Sequence, residues 1–530
     1  MKTDTFPQVR AAGWATGLGR RLGGVQTLLG VGAVLVVAVL VRGWSLGAKP
    51  LWYDEAYSVF VAQQPVGEIF RLLRLYDTHL PLYHVFLHFW MGLFGKSEVV
   101  VRLPSLLASL GAVALTFLLG RRLAGDRVGL LAAALLALSP FQVTSAQEAR
   151  MYPFLTLFGV GASYVLWLAL EEGRRRHWIA YVGLMVLALY THHFAFLLLA
   201  AQGIYVLGAH RTKAAVRGWL LALTAVAVAY LPLVPTLWTQ LATARAFPGF
   251  QRPFALRALT ELGGLLGFGG GLFGLGTYYR RGTLSIGYET AILIPFLLLA
   301  LCGLVGLGKG RARAFVVSYW LLPIVTVTLI ALKWDIFQER YFSFLLPPFA
   351  VLLAAGVVYL AGALRGQLRL VAPGAILVAV VLVNGAALRA VYQDQPFYNW
   401  RGAAKFVMAH AAADDFILYI PAYVGIPFEY YFHGSQARTD LSPDAVLSVA
   451  HLAARGRLRL RTSVPPDQMA TIAGAHPRMW IIASVALGPQ MRLRIAQALA
   501  PYFQETSGAN FELVSTSLWE SRLYGKTNER

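Results

Sequence analysis

Runs of about 17–22 residues without a single charge recur along this chain, each long enough to cross a hydrocarbon core of about 30 Å. Inside such a core every backbone N–H and C=O must find its partner within the segment. Continuous apolar runs therefore predict helices, whereas a barrel would show alternation. The rest of the composition agrees: 57% of the residues are hydrophobic, 13% are charged and the mean hydropathy is +0.59. Soluble domains carry about 25% charge. The fold class read from this pattern is a polytopic α-helical membrane protein.

The net charge of +21, from 46 Lys and Arg against 25 Asp and Glu, would suggest nucleic acid on a soluble chain. Here the excess sits in short clusters between apolar runs, the pattern that marks cytoplasmic loops. No nucleic acid is expected as a partner; the bilayer is, including anionic lipid. The clusters are Arg20/Arg21, Arg121/Arg122/Arg127, Arg174–Arg176, His210/Arg211/Lys213/Arg217, Lys309/Arg311/Arg313 and Arg365/Arg369. Spans then fall near 23–42, 103–120, 128–141, 152–170, 178–192, 194–209, 218–236, 289–307, 314–332, 342–363 and 370–390, about eleven helices. The first run lacks a small-residue cleavage site and reads as an anchored span. Cys302, the sole cysteine, lies in an apolar run and offers neither a disulfide framework nor a Cys-based zinc site.

The stretch PLYHVFLHFWMGLFG (81–95) is apolar but short, and it carries His84 and His88. If it spanned, every later basic cluster would face outward. A juxtamembrane helix in the interface keeps them all inside. The expected topology therefore puts the amino terminus in the cytoplasm and the loop 43–102 outside, in a cell (plasma or inner) membrane crossed many times. TSAQEARMYP (144–153), YTHHF (190–194), KWDIFQERYF (333–342) and a Gly- and aromatic-rich loop at 237–288 share that outer side. A loop as long as the last is usually functional or mobile. Residues 1–390 form the membrane domain on this reading. From 391 to 530 the composition turns soluble: DDFILYI (414–420) and RMWIIAS (478–484) read as buried strands, GIPFEYYFHG (425–434) as a short helix, and 511–526 as closing strands. Strands mixed with helical stretches predict a small extracytoplasmic α/β domain.

Chemistry-bearing residues gather at the outer ends of the predicted spans. Asp54 and Glu55, in KPLWYDEAYSVF, are either helix-start acids within an aromatic belt or catalytic carboxylates at an outer cleft. A carboxylate there can deprotonate an acceptor hydroxyl as a sugar is displaced from its phosphate carrier. In YDTHLPLYH, His79 can donate to phosphate or ligate a metal with Asp77 assisting, or the segment is simply a turn. His84 and His88, four apart, can bind metal or line one face of an interfacial helix. Glu148 and Arg150 form either a salt bridge at a span end or a site pair. In the second case Arg150 clamps phosphate and Glu148 holds a cation or orients the acceptor. Of the adjacent His192 and His193, one at most faces a cleft. Arg340, next to Glu339, is a second phosphate clamp or a snorkelling arginine. A divalent metal is a possible cofactor, with His79, Glu148 and His192 as candidate ligands or substrate contacts. No Walker loop, dinucleotide fingerprint, HExxH or nucleophile elbow occurs in a plausible context.

LWYDEAYS, HLPLYHVFLHFWMGLFGKSEVVVRLPSLL, GRRLAGDRVGLLAAALLALSP, SAQEARMYPF and ERYFSFLLPPFAVLLAAG together resemble bacterial glycosyltransferases of the GT-C fold. The group they resemble is related to dolichyl-phosphate-mannose–protein mannosyltransferases and to the lipid A aminoarabinose transferase. The likeness runs from about 45 to 200 and again around 339–356; YNWRGAAKFVMAHAAADDFILY in the tail resembles the outer domains such proteins carry. The resemblance implies transfer from a sugar linked to a polyprenyl phosphate, on the extracytoplasmic face, to a glycan, lipid or protein. It places the base on Asp54, a second acid on Glu55 and the carrier phosphate on Arg150 and Arg340. A single displacement would invert the anomeric centre. Two departures matter. THLP replaces the Lys before paired prolines of the aminoarabinose transferases, and the large mid-chain insertion of the protein mannosyltransferases is missing.

Three other readings compete. A lipid or solute transporter, or flippase, would use the outer acids as an ion relay, but its charges should sit at mid-span with inverted repeats. A lipid-linked oligosaccharide transferase of the same fold would differ in donor, and an inactive scaffold would show no activity.

Overall fold

The computed structural model describes residues 9–244, 286–331, 339–393, 398–438, 466–484, 493, 496–511 and 514–524. Residues 245–285 of the predicted 237–288 loop and residues 333–338 of KWDIFQERYF lie outside the described residues.

The first helix, α1 (Val9–Gly43), is followed by three shorter ones, α2 (Tyr53–Ala62), α3 (Val66–Tyr76) and α4 (Pro81–Phe94). Then come α5 (Glu98–Ala124), α6 (Asp126–Ala137), α7 (Pro140–Ala146), α8 (Tyr152–Glu172), α9 (Arg175–Thr191), α10 (Ala195–Ala209), α11 (Lys213–Tyr230) and α12 (Val234–Ala244). After the omitted loop the bundle resumes with α13 (Ile286–Gly306) and α14 (Arg311–Ala331). A 3₁₀ turn (Glu339–Leu345), α15 (Leu346–Ala363) and α16 (Leu368–Gln393) complete it. A helix lies over each of the eleven predicted span stretches. By length and composition, seven helical stretches among the described residues can cross a bilayer, or eight if α6 and α7 form one broken span bent by 60°. The 81–95 stretch is the 14-residue α4, about 21 Å long at ~1.5 Å per residue and so short of a bilayer.

Local chemistry sets the corners. Gly125 turns the chain from α5 into α6 at φ +91°, a conformation open to glycine. Ser139 caps α7 by accepting from the Gln142 N–H, and Pro140 fits its first turn. The bend between α6 and α7 strands carbonyls at the end of α6. Arg42, fully buried in α1, satisfies two of them, donating from Nη1 to Ala137 at 2.8 Å and from Nη2 to Leu136 at 3.2 Å. Its Nε donates to Ser109 Oγ at 2.9 Å. A guanidinium in apolar surroundings is tolerated here because its hydrogens are used on helix-end dipoles.

Past the bundle, α17 (Trp400–His410), β1 (Phe416–Ile420), α18 (Gly425–Glu429), β2 (Ala437–Arg438), α19 (Pro466–Ala475), β3 (Arg478–Ser484), β4 (Phe503–Phe511) and β5 (Val514–Ser521) make a five-stranded sheet with helices. Its order is β2-β1-β3-β5-β4, with β1 parallel to β2 and β3 and the other pairs antiparallel. Alternate residues of β1 and β3 feed two cores. Ile417, Tyr419, Trp480 and Ile482 pack with Trp400 and Phe428, while Leu418, Ile420, Met479 and Ile481 pack with Met469 and Trp519. Both strands are therefore apolar on both faces.

This sheet domain rests on the short helices α2–α4. Ile426 of α18 joins the core formed by α2, α3 and α4, and Tyr423 meets Tyr53 edge-on at 5.4 Å. Arg401 pairs with Glu98. The Tyr431 hydroxyl donates to Glu98 at 2.6 Å and accepts from the Leu51 N–H at 2.7 Å.

Candidate functional site

Four corners of the bundle meet at one end: α2 with the loop to α4, the α7–α8 connection, the α9–α10 connection, and the 3₁₀ turn before α15. The basic corners Arg121/Arg122 and Arg174 belong to other connections, where they pair with Asp126, Glu171 and Glu172. Each functional corner contributes one or two polar side chains to a shared cluster.

Asp54 and Glu55 open α2, where acids suit the positive end of the helix dipole. Neighbouring helix positions point in different directions, and the two acids meet different partners. Glu55 is buried. Its carboxylate takes a bidentate pair from Arg102, Nε to Oε1 and Nη2 to Oε2, both at 2.8 Å, and a third bond from the Ala149 N–H at 2.8 Å. Oε2 also accepts from the Trp52 N–H at 3.3 Å, closing a capping box. Arg102 spends its other hydrogens on the carbonyls of Leu46, Lys49 and Pro50. Glu55, expected as a second catalytic acid, thus sits in a closed scaffold joining α2, α5 and the α7–α8 loop. Sequence reasoning missed Arg102. The signal was there: a lone Arg within VVVRLPSLL must find an anion or bury an uncompensated charge.

Asp54 keeps one-fifth of its side chain open. Arg340 Nη1 donates to Oδ2 at 2.6 Å, and Arg150 Nη2 stands 3.8 Å from the same oxygen. Burial works to raise the Asp54 carboxyl, but Arg150 and Arg340 outweigh it and hold it below the usual carboxylate range. Arg340 lies among three rings, with its guanidinium carbon 5.7 Å from Trp52, 5.8 Å from Tyr152 and 5.9 Å from Tyr341. These faces stabilise the cation without neutralising it.

Arg150 is fully buried and rigidly held. Its Nη1 donates to the Asp54 carbonyl and to Ser58 Oγ, both at 3.0 Å, and its Nη2 meets His79 Nε2 at 2.8 Å. A guanidinium can only donate, so His79 Nε2 accepts there and the ring proton is on Nδ1, which donates to Asp77 Oδ1 at 2.6 Å. Asp77 also accepts from the N–H groups of Thr78 and His79, a local turn that fixes the ring. Burial works to raise the Asp77 carboxyl, and hydrogen bonding from the His79 ring N–H opposes it, leaving it below its ordinary range.

Glu148 lies on the α7–α8 loop, buried, with Oε1 lacking any hydrogen-bond partner. Burial and then the nearby Glu55 charge push its pKa up to about 8 against the pull of Arg340 and Arg150. His192 packs its ring 4.8 Å from Tyr341 and accepts from the Phe194 N–H through Nδ1 at 3.1 Å. His193 bonds Gln240 of α12 at 2.9 Å, and Gln240 in turn donates to the His79 carbonyl. His88 contacts the Ala62 carbonyl at 2.8 Å, and His84 is buried beside His79. Among the described residues no three His, Cys, Asp or Glu side chains gather to hold a metal ion. Both ring nitrogens of His79 are already taken. His79, Glu148 and His192, expected as candidate metal ligands or substrate contacts, do not form such a group.

The structure brings Asp54, Arg150, Arg340, His79 and Glu148 into one cluster and sets Glu55 behind it. The arrangement suits a phosphate anion near the two guanidiniums and a proton-accepting carboxylate beside it.

Comparison with known proteins gives the fold. ArnT from Cupriavidus metallidurans in the apo state matches 94% of this chain and 98% of its own at a TM-score of 0.60 and 14% identity. ArnT bound to undecaprenyl phosphate matches 92% of this chain and 97% of its own, with a TM-score of 0.59 and 14% identity. The Archaeoglobus fulgidus oligosaccharyltransferase in complex with Zn and sulfate matches 93% of this chain and 73% of its own, at a TM-score of 0.51 and 12% identity. No curated protein matches in sequence. The family profile described as dolichyl-phosphate-mannose-protein mannosyltransferase matches residues 78–238, which run from the His79 loop through Glu148, Arg150 and His192 to α12. The chain is thus a multi-pass membrane protein of the GT-C glycosyltransferase fold, matching the mannosyltransferase profile over residues 78–238 and similar in fold to ArnT over nearly its whole course.

Proposed function

We propose that the protein transfers a sugar from a polyprenyl-phosphate donor to an acceptor hydroxyl at the extracytoplasmic face of a cell membrane. The observation that carries this reading is the Asp54–Arg340–Arg150 cluster at one mouth of the bundle, in a fold shared with an ArnT structure bound to undecaprenyl phosphate. These charges lie at helix ends, whereas a transport relay would place them at mid-span.

On this reading the donor phosphate competes with Asp54 for Arg340. As the guanidinium turns to the phosphate, Asp54 loses its closest cation and regains basicity. Asp54 then removes the proton of the acceptor hydroxyl, whose oxygen forms the new bond to the anomeric carbon. The old carbon–oxygen bond breaks, and its electron pair leaves with the carrier phosphate, held by Arg340 and Arg150. One displacement inverts the anomeric centre.

The test is Asp54→Asn in cells that lack the wild-type gene, with mass spectrometry of surface glycans, lipids and proteins. The expected result is loss of a sugar-bearing product that the wild-type gene restores, a drop of about 10²–10⁴-fold in transfer with the variant inserted and folded. Wild-type product levels from the variant would remove Asp54 from the role of base.

A further inference from the structure

Three carboxylates surround the pocket, and the guanidiniums are divided unequally among them. Arg102 is spent on Glu55, and Arg340 with Arg150 on Asp54. Glu148 makes no ion pair among the described residues, is 8% exposed, and has one carboxyl oxygen buried without a hydrogen-bond partner. An ionised carboxylate in that position would be a desolvated charge without a counterion; a neutral carboxylic acid costs far less. The groups that face it are Asp54 and Glu55 from α2, Tyr83 from α4, Arg150 on its own loop and Arg340 on the 3₁₀ turn. Two of these are anions, and the two cations are engaged elsewhere.

We propose that Glu148 receives the donor as a neutral carboxylic acid, its O–H donating a hydrogen bond to a non-bridging oxygen of the carrier phosphate. The inference rests on the reading of this pocket as a polyprenyl-phosphate site. Arg340 and Arg150, the cations that would draw the phosphate in, act on Glu148 as well. An ionised Glu148 would repel it. The protonated form instead adds a charge-assisted hydrogen bond without adding negative charge. Burial and Glu55 keep that proton on up to about pH 8.

The experiment measures binding of undecaprenyl phosphate to the full-length protein in detergent, between pH 6.5 and 9, for the wild type, Glu148→Gln and Glu148→Ala. The probe's own ionisation is common to all three, so ratios between proteins isolate the side chain. Binding by the protonated form is complete below pH 8 and falls as pH rises through it. At pH 9 the wild type should therefore bind about tenfold more weakly than Glu148→Gln. At pH 6.5 the two should agree within about twofold, since the amide keeps an N–H donor, while Glu148→Ala should be weaker by about fivefold. A wild-type to Gln ratio constant across the range, or a Gln variant as weak as Ala at pH 6.5, overturns the inference alone. No binding by the wild type at any pH overturns the donor reading and this inference with it.

Discussion

Asp54 and Glu55 are neighbours in the chain with opposite settings, because one helix step of about 100° turns one acid to the pocket and the other into the scaffold. Glu55 is tied to Arg102 through two 2.8 Å bonds in a buried place. Removing one partner of such a pair leaves an uncompensated buried charge and costs about 3–5 kcal/mol. Arg102→Met should therefore lower the thermal midpoint in detergent markedly, and the double variant Arg102→Met/Glu55→Gln should recover part of the loss. Asp54→Asn removes a partly open charge whose amide oxygen can still accept from Arg340, and should lower that midpoint less. If Arg102→Met melts with the wild type, the scaffold role of this pair is wrong.

At the level of elements, the position of Arg340 depends on how α15 is seated, since the 3₁₀ turn that carries it runs straight into that helix. α15 crosses α13 at glycines. A Cβ on Gly303 would lie 2.0 Å from the Leu352 carbonyl oxygen, and one on Gly356 would lie 2.2 Å from that of Leu299. Backbone oxygens cannot step aside as side-chain ends do, so any substituent pushes the helices apart, and small residues let membrane helices approach this closely. Gly356→Val should cost about 1–3 kcal/mol of stability and weaken undecaprenyl phosphate binding as Arg340 shifts. Both are read from thermal unfolding and binding in detergent. An unchanged affinity in the folded variant would uncouple the crossing from the site.

At the scale of the whole molecule, the sheet domain is fastened over α2 through a few contacts centred on Glu98, which takes Arg401 and the Tyr431 hydroxyl. Tyr431 in turn holds the Leu51 N–H, three residues before Asp54. Glu98→Ala should loosen this fastening: faster hydrogen exchange in 49–57 and 425–432, and turnover several-fold lower at an unchanged fold. Exchange identical to the wild type in both segments would show that Glu98 does not hold the domain in place.

Much of this architecture was legible because the bilayer is a demanding solvent. The uncharged runs had to be helices, and FILYI and RMWIIAS, apolar on both faces, had to be strands inside a sheet with cover on each side. Polar residues at helix ends pointed to Asp54, Glu55, His79, Glu148, Arg150, His192 and Arg340 as a set, of which packing turned Glu55 into the scaffold. Their pairing was not legible, since Arg340 lies 286 residues from Asp54 and Arg102 lies 47 from Glu55. A sequence states which charges must be compensated; only the packing of helices decides which cation reaches which anion, and so which acid is left to keep its proton.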